Sequence, residues 1–257
     1  MEIFKKSFKS FFIVMTFFLA NLLIDSLSGG IVPMLMAMAV GGQPINYIIY
    51  GVFVGQIIKA IGLIFYIKKR KKNYGGEYIK NEKIENPLIY VGIGLGTVGF
   101  GHLLVNAIIK VFEGSPLVTD AFDIFEKAFS ANSRIDGLVI IFVVAIGAPI
   151  VEEYLFRGAL FEELAKICSN KATIFLTALV FGIYHFNIVQ TPNTFFMGLV
   201  LAYVYYKTKS IKAPIIIHAT NNILAMAVFL DQGLSPIGIT IYAVLLIIGI
   251  KALRQIA

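Results

Sequence analysis

Side chains able to transfer protons, ligate metals or stabilise charge stand in this sequence where hydrocarbon is expected. The stretch Glu152-Glu153-Tyr154-Leu155-Phe156-Arg157 interrupts a run of apolar residues. Charge inside an apolar span is costly, so it is kept where it is paired or functional. Glu153 and Arg157 are four apart and can pair along one helix face, whereas Glu152 is turned about 100° away from that pair. A structural ion pair accounts for Glu153 and Arg157 and leaves the second carboxylate unexplained. His185 closes the sequence Phe181-Gly182-Ile183-Tyr184-His185 near the far end of another apolar run. A lone buried His is more often a packing residue than a ligand. His218 and Asn222, in His218-Ala219-Thr220-Asn221-Asn222, stand one helical turn apart and can point at one locus, although Asn221 or Asn222 would be unremarkable as a hydrogen bond between membrane helices.

Composition defines the elements that must carry these residues. With 58% hydrophobic and 14% charged residues in 257 and a mean hydropathy of +0.83, there is too little polar surface to cover a water-soluble globule. The expected fold is all-α, a polytopic transmembrane helical bundle of about eight spans. Apolar runs of near-spanning length occur at Phe8 to Leu27, Ile45 to Ile67, Leu88 to Phe112, Leu138 to Leu155, Ile174 to Val189, Phe195 to Tyr206, Pro214 to Leu230 and Ile237 to Leu253. Ile31 to Val40 is too short to span and is open between an extension of the first helix and an interfacial segment. Lys5, Lys6 and Lys9 ahead of Phe11 to Ile24 imitate a signal peptide, but no small-x-small cleavage pattern follows closely, which favours a retained first span.

The net charge of +7 is read by position. Alternate loops carry Lys68-Lys69-Arg70-Lys71-Lys72, then Lys166 and Lys171, then Lys207, Lys209 and Lys212, then Lys251 and Arg254; the opposite loops hold only Lys127 and Arg134. The basic loops are expected on the cytoplasmic side, with both termini there. Membrane lipid is thus the expected partner and nucleic acid is not. The organisation read from the chain is residues 1–137 as N-terminal helices and loops, 138–230 as a core on spans bearing the polar residues, and 231–257 as a last helix, all one integral membrane domain. The loop from Lys68 to Asn86, punctuated by Gly75-Gly76, reads as linker. Phe122, Phe125 and Phe129 suggest an amphipathic helix lying on the bilayer. Cys168, the single cysteine, is read as a small apolar residue.

Folding the chain at Cys168 to Ser169, beside Asn170, sets Glu152 opposite His185 in an antiparallel pair. The tip of that hairpin carries Glu162, Glu163, Lys166 and Lys171 and is expected to project into the cytoplasm. His218 and Asn222 follow Pro214 by one to two turns, roughly 6 to 12 Å along a helix. Three spans would then deliver polar groups to one shallow depth, in a site open towards the cytoplasm.

The patterns Glu-Glu-x-x-x-Arg, Phe-x-x-x-His and His-x-x-x-Asn, in that order on three hydrophobic helices, resemble the CAAX protease and bacteriocin-processing family of intramembrane endopeptidases. The resemblance covers Leu138 to Leu230; the first three spans match only in being hydrophobic. It implies hydrolysis of a peptide bond in a membrane-associated protein or peptide, either prenylated C-a-a-X proteins or bacteriocin and signalling peptides. Two mechanisms stay open. In one, Glu152 is the general base, His185 helps to hold the water, and His218 and Asn222 donate to the oxyanion, with Glu153 and Arg157 fixing the helix. In the other, Glu152, His185 and His218 bind Zn2+ and leave a position for water. The first, with no cofactor, is favoured because Asn222 is a natural oxyanion donor and no His-Glu-x-x-His motif occurs.

Gly94-Leu95-Gly96-Thr97-Val98-Gly99 fits a dinucleotide-binding pattern, but it lies inside an apolar span without a βαβ unit and reads as close helix packing. His102 reads as structural. Two other classes compete: a proton-coupled secondary transporter, which would show an internal repeat, and a non-catalytic membrane immunity or scaffold protein that binds a peptide through the same cleft.

Overall fold

A computed structural model describes residues 2–74, 78–128, 130–131, 133–227 and 233–256, without side chains for 2–9, 11, 74 and 124–128. The described residues are helical almost throughout and include no β-strand; one isolated bridge pairs Asn81 with Ser210. The helices are α1 (Glu2–Val40), α2 (Ile48–Tyr74), α3 (Pro87–Val111), α4 (Pro116–Ala128), α5 (Arg134–Leu164), α6 (Asn170–Tyr184), α7 (Gln190–Thr208), α8 (Lys212–Ala225) and α9 (Pro236–Leu253). Among the described residues, five stretches are long and apolar enough to cross a membrane: Phe12–Val40, Pro44–Asn73, Pro87–Val111, Arg134–Leu164 and Pro236–Leu253. With 15 and 14 residues, α6 and α8 reach only about 22 Å at 1.5 Å per residue, short of a bilayer core of roughly 30 Å. The open segment from Ile31 to Val40 continues the first helix, which ends where Gly41 and Gly42 take φ of 92° and 89°, a backbone that costs only glycine nothing.

The chain forms two compact units. The first comprises Met1–Ile79 and Asp123–Thr173. Here Gly51 and Gly55 of α2 accept the backbone and side chain of Ser28 from α1; a Cβ on Gly51 would lie 2.6 Å from the Ser28 carbonyl oxygen. This close approach, one turn apart on one face, is how apolar helices associate when lipid removes any hydrophobic drive between them. Asp25 and Lys59 pair across the same contact at 2.7 Å. The two helices α2 and α5 run parallel: Tyr50 donates to Asp136 near their starts at 2.6 Å, Gln56 Nε2 donates to the Val143 carbonyl at 3.3 Å, and Arg70 pairs with Glu163 at their ends.

That last pair corrects one expectation. Glu163 does not project from a hairpin tip into water; its side chain is 1% exposed. It accepts from Arg70, from Tyr78 at 2.6 Å, from Lys166 at 2.9 Å, from Tyr66 at 3.2 Å and from Ser10 at 3.4 Å. Burial first, then Tyr66 and Glu163, pushes the Tyr78 phenol well above its ordinary value, which keeps it a donor. The turn itself falls where expected: α5 ends at Leu164, the Cys168 amide bonds back to the Leu164 carbonyl, and α6 begins at Asn170.

The second unit comprises Lys80–Phe122 and Ile174–Ala257. The glycines of α3 face two neighbours. Gly96 meets the backbone of Gly249, Gly99 meets the Tyr242 carbonyl and Gly92 meets Ala252, all on α9, while Gly94 meets Thr220 of α8. The G-x-G-x-x-G stretch is therefore close helix packing, as read from its setting. His102 stacks on Tyr242 with ring centroids 4.8 Å apart and planes 5° apart, a packing role. The segment Lys80–Glu82 is not a loose linker: it pairs with the turn before α8 through Glu82 N–H to Lys209 O at 2.8 Å and Ile211 N–H to Lys80 O at 3.0 Å. Within the expected surface helix, α4 exposes Phe122; the side chain of Phe125, and Phe129, lie outside the described residues, as do Gly75-Gly76.

Because a side chain at residue 96 would enter the space of the Gly249 backbone, Gly96→Leu is expected to cost about 1–3 kcal/mol or more from overpacking, seen as a lower thermal-unfolding midpoint in detergent. Gly62→Ala, which meets nothing within 4 Å, should leave the midpoint equal or higher.

Candidate active site

Helix α5 is not uniform. Its short α-helical segment Ala148–Glu153 lies between two π-helical stretches, Phe142–Gly147 and Tyr154–Leu160. Such wide turns arise where a side chain enters the hydrogen-bond ladder, and they concentrate at functional sites. Both have a side chain at hand within the first unit: Gln56 donates to the Val143 carbonyl at 3.3 Å, and the Tyr78 hydroxyl lies 3.4 Å from the Ala159 carbonyl. Gly158 makes room for the neighbouring Ile79, whose Cδ1 would lie 2.7 Å from a Cβ there.

The two glutamates of the motif sit in different surroundings. Glu153 accepts from Arg157 Nη1 at 2.8 Å, and both side chains are fully buried. Glu152 is half-buried. The expected i,i+4 pair is thus present, and it neutralises one carboxylate while the other keeps a partly open environment. An ion pair so deeply desolvated stabilises weakly as a pair but is costly to break on one side.

In the second unit, α6 stops at Tyr184, so His185 stands just past the helix and not inside a span that continues to Val189. The chain turns there through Phe186 at φ 44°, a strained position for a bulky residue. Asn187 holds the turn: its Oδ1 accepts from the amides of Val189 at 3.0 Å and Gln190 at 3.1 Å, and its Nδ2 donates to the Ala121 carbonyl at 3.1 Å. His185 Nδ1 lies 2.9 Å from the Phe181 carbonyl. A carbonyl can only accept, so Nδ1 carries the proton, and in the neutral ring Nε2 is the basic nitrogen. Gly182 against Phe195, and Gly198 against Ala178, bring α6 and α7 together.

Phe181 is the wedge of this unit. Its fully buried ring meets His185 at 5.0 Å and His218 at 5.8 Å between centroids, edge to face in both cases. The two imidazoles therefore lie no more than about 11 Å apart, by the triangle inequality on those two distances. His218 is 2% exposed. Asn222 is held by its neighbour, with Asn221 Nδ2 3.4 Å from Asn222 Oδ1, and Asn221 in turn meets Thr97 of α3 at 3.0 Å. The sequence does not mark Thr97 or the Glu163 cluster, because their partners lie far along the chain, nor Asn187, whose local cap also ties the turn to distant Ala121.

The six candidates fall into two groups. Glu152, Glu153 and Arg157 belong to the first unit, and His185, His218 and Asn222 to the second. Among the described residues no group of three or more His, Cys, Asp or Glu side chains is placed to hold a metal ion. Replacing one member of the buried pair, as Glu153→Leu or Arg157→Leu, should cost about 3–5 kcal/mol, and replacing both should cost much less. Thermal unfolding in detergent measures this, and single variants as stable as the parent would contradict the pairing.

Comparison with known proteins places these residues in context. Residues 134–224 match the family described as type II CAAX prenyl endopeptidase Rce1-like. The chain is 37% identical over 90 residues to the membrane-embedded CAAX protease MroQ of Staphylococcus aureus (strain USA300), which covers 33% of this chain and 36% of that protein. It is 29% identical over 93 residues to "Putative membrane peptidase YdiL" of Bacillus subtilis (strain 168), covering 36% of this chain and 38% of that one. The alignments thus span a little over a third of the length of these curated relatives. No solved structure matches significantly. Residues 134–224, which hold all six candidate residues, are similar to the Rce1-like CAAX prenyl endopeptidases, in agreement with the resemblance carried by the three motifs.

Proposed function

We propose that this chain is an intramembrane endopeptidase that cuts a peptide bond of a membrane-associated protein or peptide, with Glu152 as general base. The observation that carries this reading is the division of labour between the adjacent carboxylates inside the matched segment. Glu153 is fully buried and neutralised by Arg157, while Glu152 is half-buried beside it. A structural ion pair needs only one of the two.

The proposed reaction divides its roles among Glu152, His185, His218 and Asn222. Glu152 takes a proton from a water that His185 Nε2 helps to orient, and the resulting hydroxide attacks the carbonyl carbon. The oxygen of the tetrahedral intermediate takes up the negative charge and is stabilised by donors from His218 and Asn222. As the carbon–nitrogen bond breaks, protonated Glu152 returns its proton to the leaving nitrogen. The products are a carboxylic acid, which passes its remaining proton to the amine or to solvent, and an amine, and Glu152 is again ionised. Glu153 and Arg157 hold the helix that carries the base. The donor set is one of side chains alone, and no step requires a metal.

The substrate class to try first is the prenylated C-a-a-X peptide, after the family name, beside unprenylated membrane-associated peptides of the bacteriocin and signalling kind. The site is expected to open towards the cytoplasm, because the basic ends of α2 and α5 meet at Glu163 on one side of the first unit and basic loops mark that side.

Purified protein incubated with such a panel should yield defined fragments by mass spectrometry. Glu152→Ala and His185→Ala, still folded in detergent, should each lose at least about 10²-fold in rate, and exhaustive chelation should leave the rate unchanged. Cleavage by Glu152→Ala at the parental rate would sink the catalytic assignment.

A further inference from the structure

A buried hydroxyl and a buried amide lead from α3 to the proposed oxyanion donor. Thr97 is 3% exposed and Asn221 is 9% exposed. Thr97 Oγ1 lies 2.7 Å from the Gly94 carbonyl and 3.0 Å from Asn221 Oδ1, and Asn221 Nδ2 lies 3.4 Å from Asn222 Oδ1. The helices come close enough for this because Gly94 has no side chain: a Cβ there would lie 2.7 Å from Thr220 Cβ.

The chemistry of these groups gives the chain a direction. A hydroxyl has one proton, and two acceptors are in reach of it. When Thr97 donates to Asn221 Oδ1, Asn221 Nδ2 donates to Asn222 Oδ1, and the Asn222 Nδ2 end is turned away from Asn221. When Thr97 instead donates to Gly94, Asn221 can turn its amide over, donate to Thr97 Oγ1 and accept from Asn222. The amide of Asn222 then turns its nitrogen inward. Only the first polarity presents the nitrogen, the donor end, to a developing oxyanion.

We infer that Thr97 and Asn221 are positioning residues that fix which end of the Asn222 amide faces the reacting carbonyl. This rests on the proposed proteolytic reading and on Asn222 as oxyanion donor. It adds two residues outside the three motifs and gives helix α3 a part in the reaction.

The test uses the full chain in detergent with a fluorescence-quenched farnesylated C-a-a-X peptide as the probe. Removing an oxyanion donor outright costs about 10²–10³-fold in kcat, so misorienting it should cost roughly 10- to 100-fold. Thr97→Val, which keeps shape and removes the hydroxyl, should show that loss in kcat with KM and unfolding midpoint unchanged. Thr97→Ser should restore the rate. Asn221→Asp, which cannot donate to Asn222 as a carboxylate, should lose as much as Thr97→Val or more. On an Asn222→Ala background, Thr97→Val should add almost nothing, because two residues acting through one donor are not additive. A parental kcat for Thr97→Val, or an undiminished loss on the Asn222→Ala background, overturns the relay while leaving proteolysis standing. Parental cleavage by Glu152→Ala removes the proteolytic reading and the relay with it.

Discussion

In hydrocarbon a polar group has no water to fall back on, so each one must find its partner within the protein. That constraint organises this chain. The Glu153–Arg157 pair, the five donors gathered on Glu163, the Asp25–Lys59 bridge and the Thr97–Asn221 contact are all its local solutions. None of these is expected to add much stability as a pair, since desolvation offsets the attraction. Their effect is on register. A helix whose charge can be satisfied in only one rotation and one depth is fixed there, and the side chains next to that charge are fixed with it. Glu152 is such a neighbour.

Small residues are the complement of these polar contacts. Helix α3 approaches α9 at Gly92, Gly96 and Gly99, and approaches α8 at Gly94. The first set anchors a terminal helix; the second brings Thr97 within reach of Asn221 and so bears on the motif helix. In the first unit, Gly51 and Gly55 do the same for α1 and α2, and Gly147 admits Gln56 towards the first π-helical stretch of α5. The π-helical turns follow from this arrangement. A wide turn leaves backbone carbonyls to be satisfied from outside the helix, and Gln56 and Tyr78 are placed to do it.

The histidine side is built differently, through a turn and a ring. Because α6 ends before His185, the orientation of that imidazole is not set by helical rotation. It is set by the Phe181 carbonyl at Nδ1 and by the Asn187 cap that holds the following turn. Phe181 serves twice, since its carbonyl fixes the tautomer of His185 while its ring separates His185 from His218. The Phe of Phe-x-x-x-His is thus a structural part of the motif, with a role that its spacing alone does not reveal.

Much of this was legible in the residues themselves. Hydropathy gave the helical membrane class, because a span must be apolar over a known length. The i,i+4 rule gave Glu153 with Arg157, and the context of Gly94-x-Gly96-x-x-Gly99 gave helix packing over nucleotide binding. The turn after Leu164 was also read correctly, from Asn170 and the symmetry of the hairpin. All of these are local properties, encoded within a few turns of helix. What the sequence could not give were contacts between residues far apart: Ser10 and Glu163 are 153 positions apart, Thr97 and Asn221 are 124, and Gln56 and Val143 are 87. Glu163 looked solvated because its neighbours Glu162, Lys166 and Lys171 are charged; only the tertiary fold, by bringing Arg70, Tyr66 and Tyr78 to it, made it buried. Periodicity fixes which face of a helix is apolar, but the identity of the helix that covers a polar residue depends on packing that no local pattern carries.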